Sequence, residues 1–276
     1  MLFGTLVWGT IWYPYRLLNI DGVTGVHSSM ISFSITFFLS FFIHKFQDKS
    51  FFFDKSFLIY AFFGGITNIA YVMAVIHGEV VRVMLLFFLS PLWTMLLALF
   101  LLKERATLTH YIAALLSVFG AIIILYNPSN IIGITSASDL YALIAGVGFS
   151  MTNVLARRFT HLTFEQKSIA IWLGVILVSI AIVFFYGNAY SIQLINISID
   201  NFIILIFIAI TLLVTTLTVQ YGLTRIKAVR ASPIFLFEII VAAISSYLWA
   251  GEVISTQIFL GGMLIVFSVL VSSRKN

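Results

Sequence analysis

Cysteine is absent from this chain of 276 residues, and only 9% of its residues are charged. The first absence excludes disulfides and thiolate metal sites. The second leaves too little polar surface for a soluble domain, because 61% of the residues are hydrophobic and the mean hydropathy is +1.11. Proline occurs only four times. Catalytic signatures are missing as well: there is no His-Glu-x-x-His, no phosphate-binding glycine loop with its lysine, and no Gly-x-Ser-x-Gly elbow. His27, His44, His77, His110 and His161 are scattered near the ends of apolar runs rather than clustered. An enzyme is therefore not expected, nor is a cofactor, a metal or an ATP-hydrolysing chain. Ion pores show charged rings or carbonyl filters, and neither is visible here.

What remains is a series of ten apolar runs, at 1–18, 24–44, 56–76, 80–102, 108–126, 140–159, 165–186, 201–224, 228–250 and 256–272. Runs near 20 residues match an α-helix crossing about 30 Å of hydrocarbon, whereas a barrel strand needs about half that length. The first run has neither a basic leader segment nor a small-x-small cleavage site and is read as a span. The predicted fold class is an all-α membrane protein of ten transmembrane helices.

Charge placement then sets the orientation. With the N-terminus inside, alternate gaps hold Lys45, Lys49 and Lys55; Lys103 and Arg105; Arg157, Arg158 and Lys167; Arg225, Lys227 and Arg230; and Arg274 and Lys275. These are all but two of the 15 basic residues; Arg16 and Arg82 are the exceptions. The positive-inside rule puts both termini in the cytoplasm of a cell (inner) membrane, and the net charge of +5 reflects these loops rather than a nucleic-acid partner. Five spans in each half make the second half enter from the opposite side. The expected organisation is a first repeat at 1–126, an external linker at 127–138 and an inverted second repeat at 139–276, the architecture of many secondary transporters. The offset that lays Thr67 on Thr215 also lays Arg82 on Arg230, Phe87 on Phe235 and Glu104 on Glu252.

Several short motifs follow this order. Trp8-Gly9 lies in the first span, Ser90-Pro91 in the fourth, and Lys103-Glu104-Arg105 before the fifth; Gly251-Glu252 and Gly261-Gly262 close the second half. Together they resemble the EamA-type domain of the drug/metabolite transporter superfamily, in two tandem copies across the chain. The resemblance implies a ten-helix bundle with a central cavity, the fifth and tenth helices packed peripherally, and export of amino acids, nucleotide-related metabolites or drugs. The chain departs from the family pattern at Ile239, where proline often follows the glutamate; its nearest proline is Pro233.

The candidate residues follow from cost. An acid at a helix centre costs roughly 2.5–3.5 kcal/mol and requires a cavity, a partner or a proton. Glu238 in the ninth span is thus read as a substrate anchor, a proton carrier or a structural hydrogen-bonding group. Pro91 and Pro233 lie inside spans, where proline frees a carbonyl, and are candidate hinges or simple kinks. Trp8, Trp12, Asn68, Tyr71, Trp93, Asn153, Gln220 and Tyr221 complete the candidate substrate cavity, whose aromatic and amide groups suit a zwitterion with an apolar side chain. Tyr13 and Tyr15 are read as interfacial belt residues. Arg16 and Arg82 are candidates for an external gate, with Arg157 and Arg230 inside; lipid-headgroup anchoring is the competing role. Glu79 can pair with Arg82, while Glu104 and Glu252 are read as helix caps. Ala113-Ala114 and Gly261-Gly262 are expected to allow close helix contact. The partners implied are a small-molecule substrate, membrane lipids and protons as a coupling ion. A lipid or lipid-linked-sugar flippase is the alternative function.

Overall fold

A computed structural model describes residues 2–45, 53–103, 107–126, 136–186, 197–225 and 228–272, with the side chains at 41–45, 91, 220–225, 228–236 and 272 excepted. The described residues form helices and contain no strand. In chain order these are α1 (Leu2–Trp8), α2 (Trp12–Ile20), α3 (Gly25–Lys45), α4 (Lys55–His77), α5 (Val80–Phe87), α6 (Ser90–Leu101), α7 (Leu108–Leu125), α8 (Ala137–Arg158), α9 (Phe164–Phe185), α10 (Ile199–Arg225), α11 (Ala228–Ala250) and α12 (Thr256–Ser272).

Six stretches are long and apolar enough to cross a bilayer: α4, α5 with α6, α7, α8, α9 and α10. The segment 2–20 and the start of α3 pass the same test together, across a bend of 118°. Phe100, Leu115, Phe119, Phe184, Phe207, Tyr247 and Phe259 all lie exposed on the outside of the bundle. In water such a surface would aggregate; against acyl chains it is at home, so the chain is an integral membrane protein.

Association of helices in lipid depends on close approach, because lipid tails are as apolar as leucine. The core of the bundle is built that way. A Cβ on Gly174 of α9 would collide with the Ala61 carbonyl of α4, and one on Gly65 with the Gly174 carbonyl. Gly148 of α8 sits against Thr67 of α4, so α4 lies between α8 and α9. On the other side, α7 and α12 meet through Gly120 and Gly261, each against the other's carbonyl at 2.6 Å from an added Cβ. Their Ser117 and Ser268 hydroxyls are 2.6 Å apart. This pair shows an outer face of Leu108, Ile112, Leu115 and Phe119 from α7 and Phe259, Met263 and Phe267 from α12.

Two expected spans are broken. In the first, residues 9–11 interrupt the helix between α1 and α2. In the fourth, Phe88 and Leu89 separate α5 from α6, and Pro91 falls in the first turn of α6. Proline has no N–H to lose there, so the break is where its ring is tolerated.

Candidate functional site and relatives

Each break is clasped by a helix from the opposite half of the chain. Against the first, α11 packs so closely that a Cβ on Gly9 would be 2.9 Å from the Glu238 carbonyl and 2.7 Å from Val241. The Ser245 hydroxyl of α11 lies 2.9 Å from the Gly9 carbonyl and accepts the Trp12 indole N–H at 3.0 Å. Against the second break, Gly146 of α8 faces the Phe87 carbonyl, and Ser150 donates to the Ser90 carbonyl at 2.7 Å. A helix break leaves backbone carbonyls without N–H donors, and such groups cannot be left bare in lipid. A close glycine contact and a serine of the facing helix meet each break, the glycine being Gly9 of the broken span at the first and Gly146 of α8 at the second.

At one end of the bundle the same helix pairs are joined by ions. Arg16 of α2 meets Glu252, just beyond α11, at 2.7 Å; its Nε donates to the Val75 carbonyl at 2.7 Å and its Nη2 to that of Gly78. The second Glu252 oxygen accepts the Val80 N–H at 2.8 Å, capping α5. Arg82 of α5 grips Asp139 of α8 with two bonds, at 2.7 and 2.9 Å, and reaches the Ile124 carbonyl at 2.9 Å. Asp139 is fully buried. A buried bidentate arginine–carboxylate pair is strongly directional and leaves little of either charge uncompensated. At the other end Asp54 meets His161, 3.1 Å apart and largely solvated.

The candidate residues distribute as follows. Trp8 ends α1, and its carbonyl accepts the Tyr71 hydroxyl at 3.3 Å. Tyr71 also meets Phe87 edge-on at 5.8 Å, so it touches both broken spans. Glu238 is 5% exposed, on the face of α11 that meets Gly9. These three residues come together. Trp12 is completely buried, with Arg16 over its ring at 4.7 Å, and packs as a strut between α2 and α11 rather than as a cavity wall. Asn68 spends its amide on the Gly64 carbonyl of its own helix. Trp93 is half-buried, its indole nitrogen enclosed with no hydrogen-bond partner among the described residues. Asn153 is half-buried on α8, and Arg157 is exposed at the end of that helix. The side chains of Pro91, Gln220, Tyr221, Arg230 and Pro233 lie outside the described residues, as does Glu104 entirely.

Three expectations need correction. Arg82 makes its close ion pair with Asp139 across the bundle, a partner the sequence did not name, while Glu79 at the start of its own helix stays in electrostatic reach. Tyr15 is 2% exposed and belongs to the core, leaving Tyr13, stacked 5.0 Å from Trp249, nearer to the belt role. Glu252 does cap a helix, but it caps α5 in the other half of the chain. Sequence reasoning missed Asp139, Ser150 and Ser245. The pattern Ser136-x-x-Asp139 before an apolar run was a legible helix start, yet nothing in it revealed that the acid turns inward to an arginine.

A recess of about 520 Å³ opens elsewhere, between α3, α4, α8 and α9, walled by Val26, Ile69, Met73, Ile144 and Val178. It is mainly apolar, with Tyr141 and Tyr186 also on its wall, and none of the candidate cavity residues lines it.

Comparison with known proteins adds the family. A crystal structure 16% identical in sequence superposes with a TM-score of 0.61, covering 98% of this chain and 96% of its own, and speaks for the shared fold alone. An uncharacterized transporter of Clostridium kluyveri is 25% identical over 211 residues, which are 74% of this chain and 66% of that protein, just under two thirds of its length. The model of the EamA-like transporter family matches twice, at residues 1–126 and 136–274. The chain belongs to the EamA-like transporter family.

Proposed function

We propose that the protein is a secondary transporter that exports small organic metabolites, amino acids first among them, by alternating access. In this reading ten spans form an inverted five-plus-five repeat in the inner membrane, with both termini cytoplasmic, and the halves rock about a site at the bilayer midplane. The observation that carries it is the pairing of each broken span with a helix of the other half. Discontinuous helices clasped across two halves of a chain are where transporters of this general plan hold their substrate. Glu238, Trp8 and Tyr71 adjoin the first break and are the proposed substrate contacts; Asn153, Trp93, Gln220 and Tyr221 are assigned to the same cavity.

The Arg16–Glu252 and Arg82–Asp139 pairs act as the external gate. Both join the first half of the chain to the second, at the end opposite the solvated Asp54–His161 contact. Arg157 and Arg230 belong to the inner gate, Pro91 and Pro233 to the flexing points, and protons are the proposed coupling ion. A flippase for lipid or lipid-linked sugar is the second reading, and the apolar recess is the observation on its side.

Counterflow in proteoliposomes tests the proposal. Vesicles loaded with unlabelled amino acids should accumulate labelled aromatic or aliphatic ones transiently with no ion gradient. Absence of exchange across the amino-acid panel, with exchange of a nucleotide-like metabolite or transfer of a labelled lipid, would move the function to those cargoes.

A further inference from the structure

The two ion pairs are built to one pattern. In each, the arginine lies at the C-terminus of one helix and the carboxylate at the N-terminus of the next. Arg16 donates to the Val75 and Gly78 carbonyls where α4 ends, and its partner Glu252 accepts the Val80 N–H where α5 begins. Arg82 donates to the Ile124 carbonyl near the end of α7, and its partner Asp139 lies in the first turn of α8. Cations favour the carbonyl end of a helix and anions the N–H end, so two helix termini reinforce each pair. Gln257 of α12 donates its amide to the Ile123 and Tyr126 carbonyls, at 2.5 and 2.6 Å, and so fixes the end of α7 that Arg82 holds.

The pairs also meet on a common piece of chain. The start of α5 gives the Val80 N–H to Glu252 and, two residues on, the Arg82 guanidinium to Asp139. Just before it, Gly78 gives its carbonyl to Arg16 and packs against Ser138, the residue next to Asp139. A Cβ on Gly78 would lie 2.6 Å from the Ser138 Oγ and 2.7 Å from its Cβ. Ser138 is 3% exposed, its hydroxyl 2.7 Å from that of Ser136 at the cap of α8. The two-residue turn Gly78-Glu79 between α4 and α5 therefore touches both pairs, and neither can part its helices without moving it.

We infer that the two ion pairs form a single latch, tied together by the Gly78-Glu79 turn and the first turn of α5, with Gly78 and Ser138 as its positioning residues. The inference rests on the gate role proposed above and deepens it: the gate opens as a unit rather than one pair at a time. Groups in one hydrogen-bonded network respond non-additively, whereas sites with no shared partner respond independently. Removing the Glu252 carboxylate frees the start of α5, and with it the backbone that aims Arg82 at Asp139. Removing Asp139 lets α8 draw away from Gly78, whose carbonyl Arg16 holds.

A reporter beside one pair, read while the other is removed, tests the coupling. Ser138→Cys is nearly isosteric and places a single thiol in a chain that has no cysteine. Enclosed against Gly78, it should react slowly with a maleimide in sealed vesicles. Neutralising the other pair, by Arg16→Gln with Glu252→Gln, should speed that reaction about fivefold or more. Glu252→Gln alone, which keeps the size of the side chain and one acceptor oxygen, should give a smaller change in the same direction and serves if the double change does not assemble. In melting curves, neutralising both pairs should cost clearly less than the sum of the two separate losses. Labelling of Ser138→Cys that ignores the Arg16–Glu252 pair, or melting losses that simply add, would overturn the inference. Failure of the gate role is seen separately, as coupled labelling and melting in a protein whose counterflow rate does not change when the pairs are removed.

Discussion

Arg82 and Asp139 show what one buried pair demands of its neighbours. Asp139 is fully enclosed, and both its oxygens face the same guanidinium. Truncating the arginine alone leaves a bare carboxylate in the bundle, which costs about 3 kcal/mol or more, whereas removing both charges costs far less. Arg82→Gln should therefore lower the melting temperature in detergent markedly, and Arg82→Gln combined with Asp139→Asn should recover most of the loss. A double variant no more stable than the single one would show that the pair is not the source of the effect. Asp54 behaves oppositely because it is solvated. The Phe57 N–H, received at 2.9 Å at the start of α4, and the neighbouring His161 hold its carboxyl below the ordinary carboxylate range. A depressed acid contributes stability at pH values above its ordinary pKa and loses it as the pH falls through its folded value, so a weakening below about pH 4 is expected. Asp54→Asn keeps the capping oxygen and should flatten that acid limb in a pH series of melting curves.

Among elements, what the sequence disclosed depended on whether a signal was local. Span positions were legible because twenty apolar residues in a row leave few alternatives, and the runs at 56–76 and 80–102 lie within a residue or two of α4 and of α5 with α6. Pro91 likewise marked the second break. The first break carried no proline, so nothing in the run at 1–18 marked the turn that residues 9–11 make between Trp8 and Trp12. Gly9 was the available sign, since its role is to admit α11, but a lone glycine does not name its neighbour. Nor could any pattern show which helix would supply Ser245 or Ser150, because such pairings are made in space. Close approach also makes a prediction at this scale. Gly174 of α9 touches the Ala61 carbonyl, and backbone cannot yield as a side-chain tip can. Gly174→Ala should cost on the order of 1–3 kcal/mol, or prevent assembly. Gly22, at φ +87° in open space, should lose only about 1 kcal/mol on the same change, the penalty for left-handed backbone. Similar losses at both sites would argue against the α4–α9 contact.

For the whole molecule, the two ion pairs set an expectation about which side opens. On the proposed alternating-access reading, weakening them by Arg16→Gln with Glu252→Gln should shift the protein toward an outward-open population. Its native freedom from cysteine lets a single cysteine introduced at Phe87, beside the break and away from the ion pairs, report this by thiol labelling from either face of sealed vesicles. Faster labelling from the external face in the double variant is the expected result; unchanged labelling on both faces would remove the gate role from Arg16.

The contact between α7 and α12 has a mechanical consequence. One helix comes from each half of the chain, and main chain meets main chain at Gly120 and Gly261, with the Ser117 and Ser268 hydroxyls in contact beside them. Surfaces this close cannot slide without collision, so they suit a fulcrum better than a moving jaw. On the proposed rocking of the two halves, tilting would be transmitted by leverage, with the ends carrying Arg16 and Arg82 travelling furthest and the backbone at Gly120 hardly at all. Bulk added at the fulcrum would slow the stroke of the cycle and leave the choice of cargo untouched.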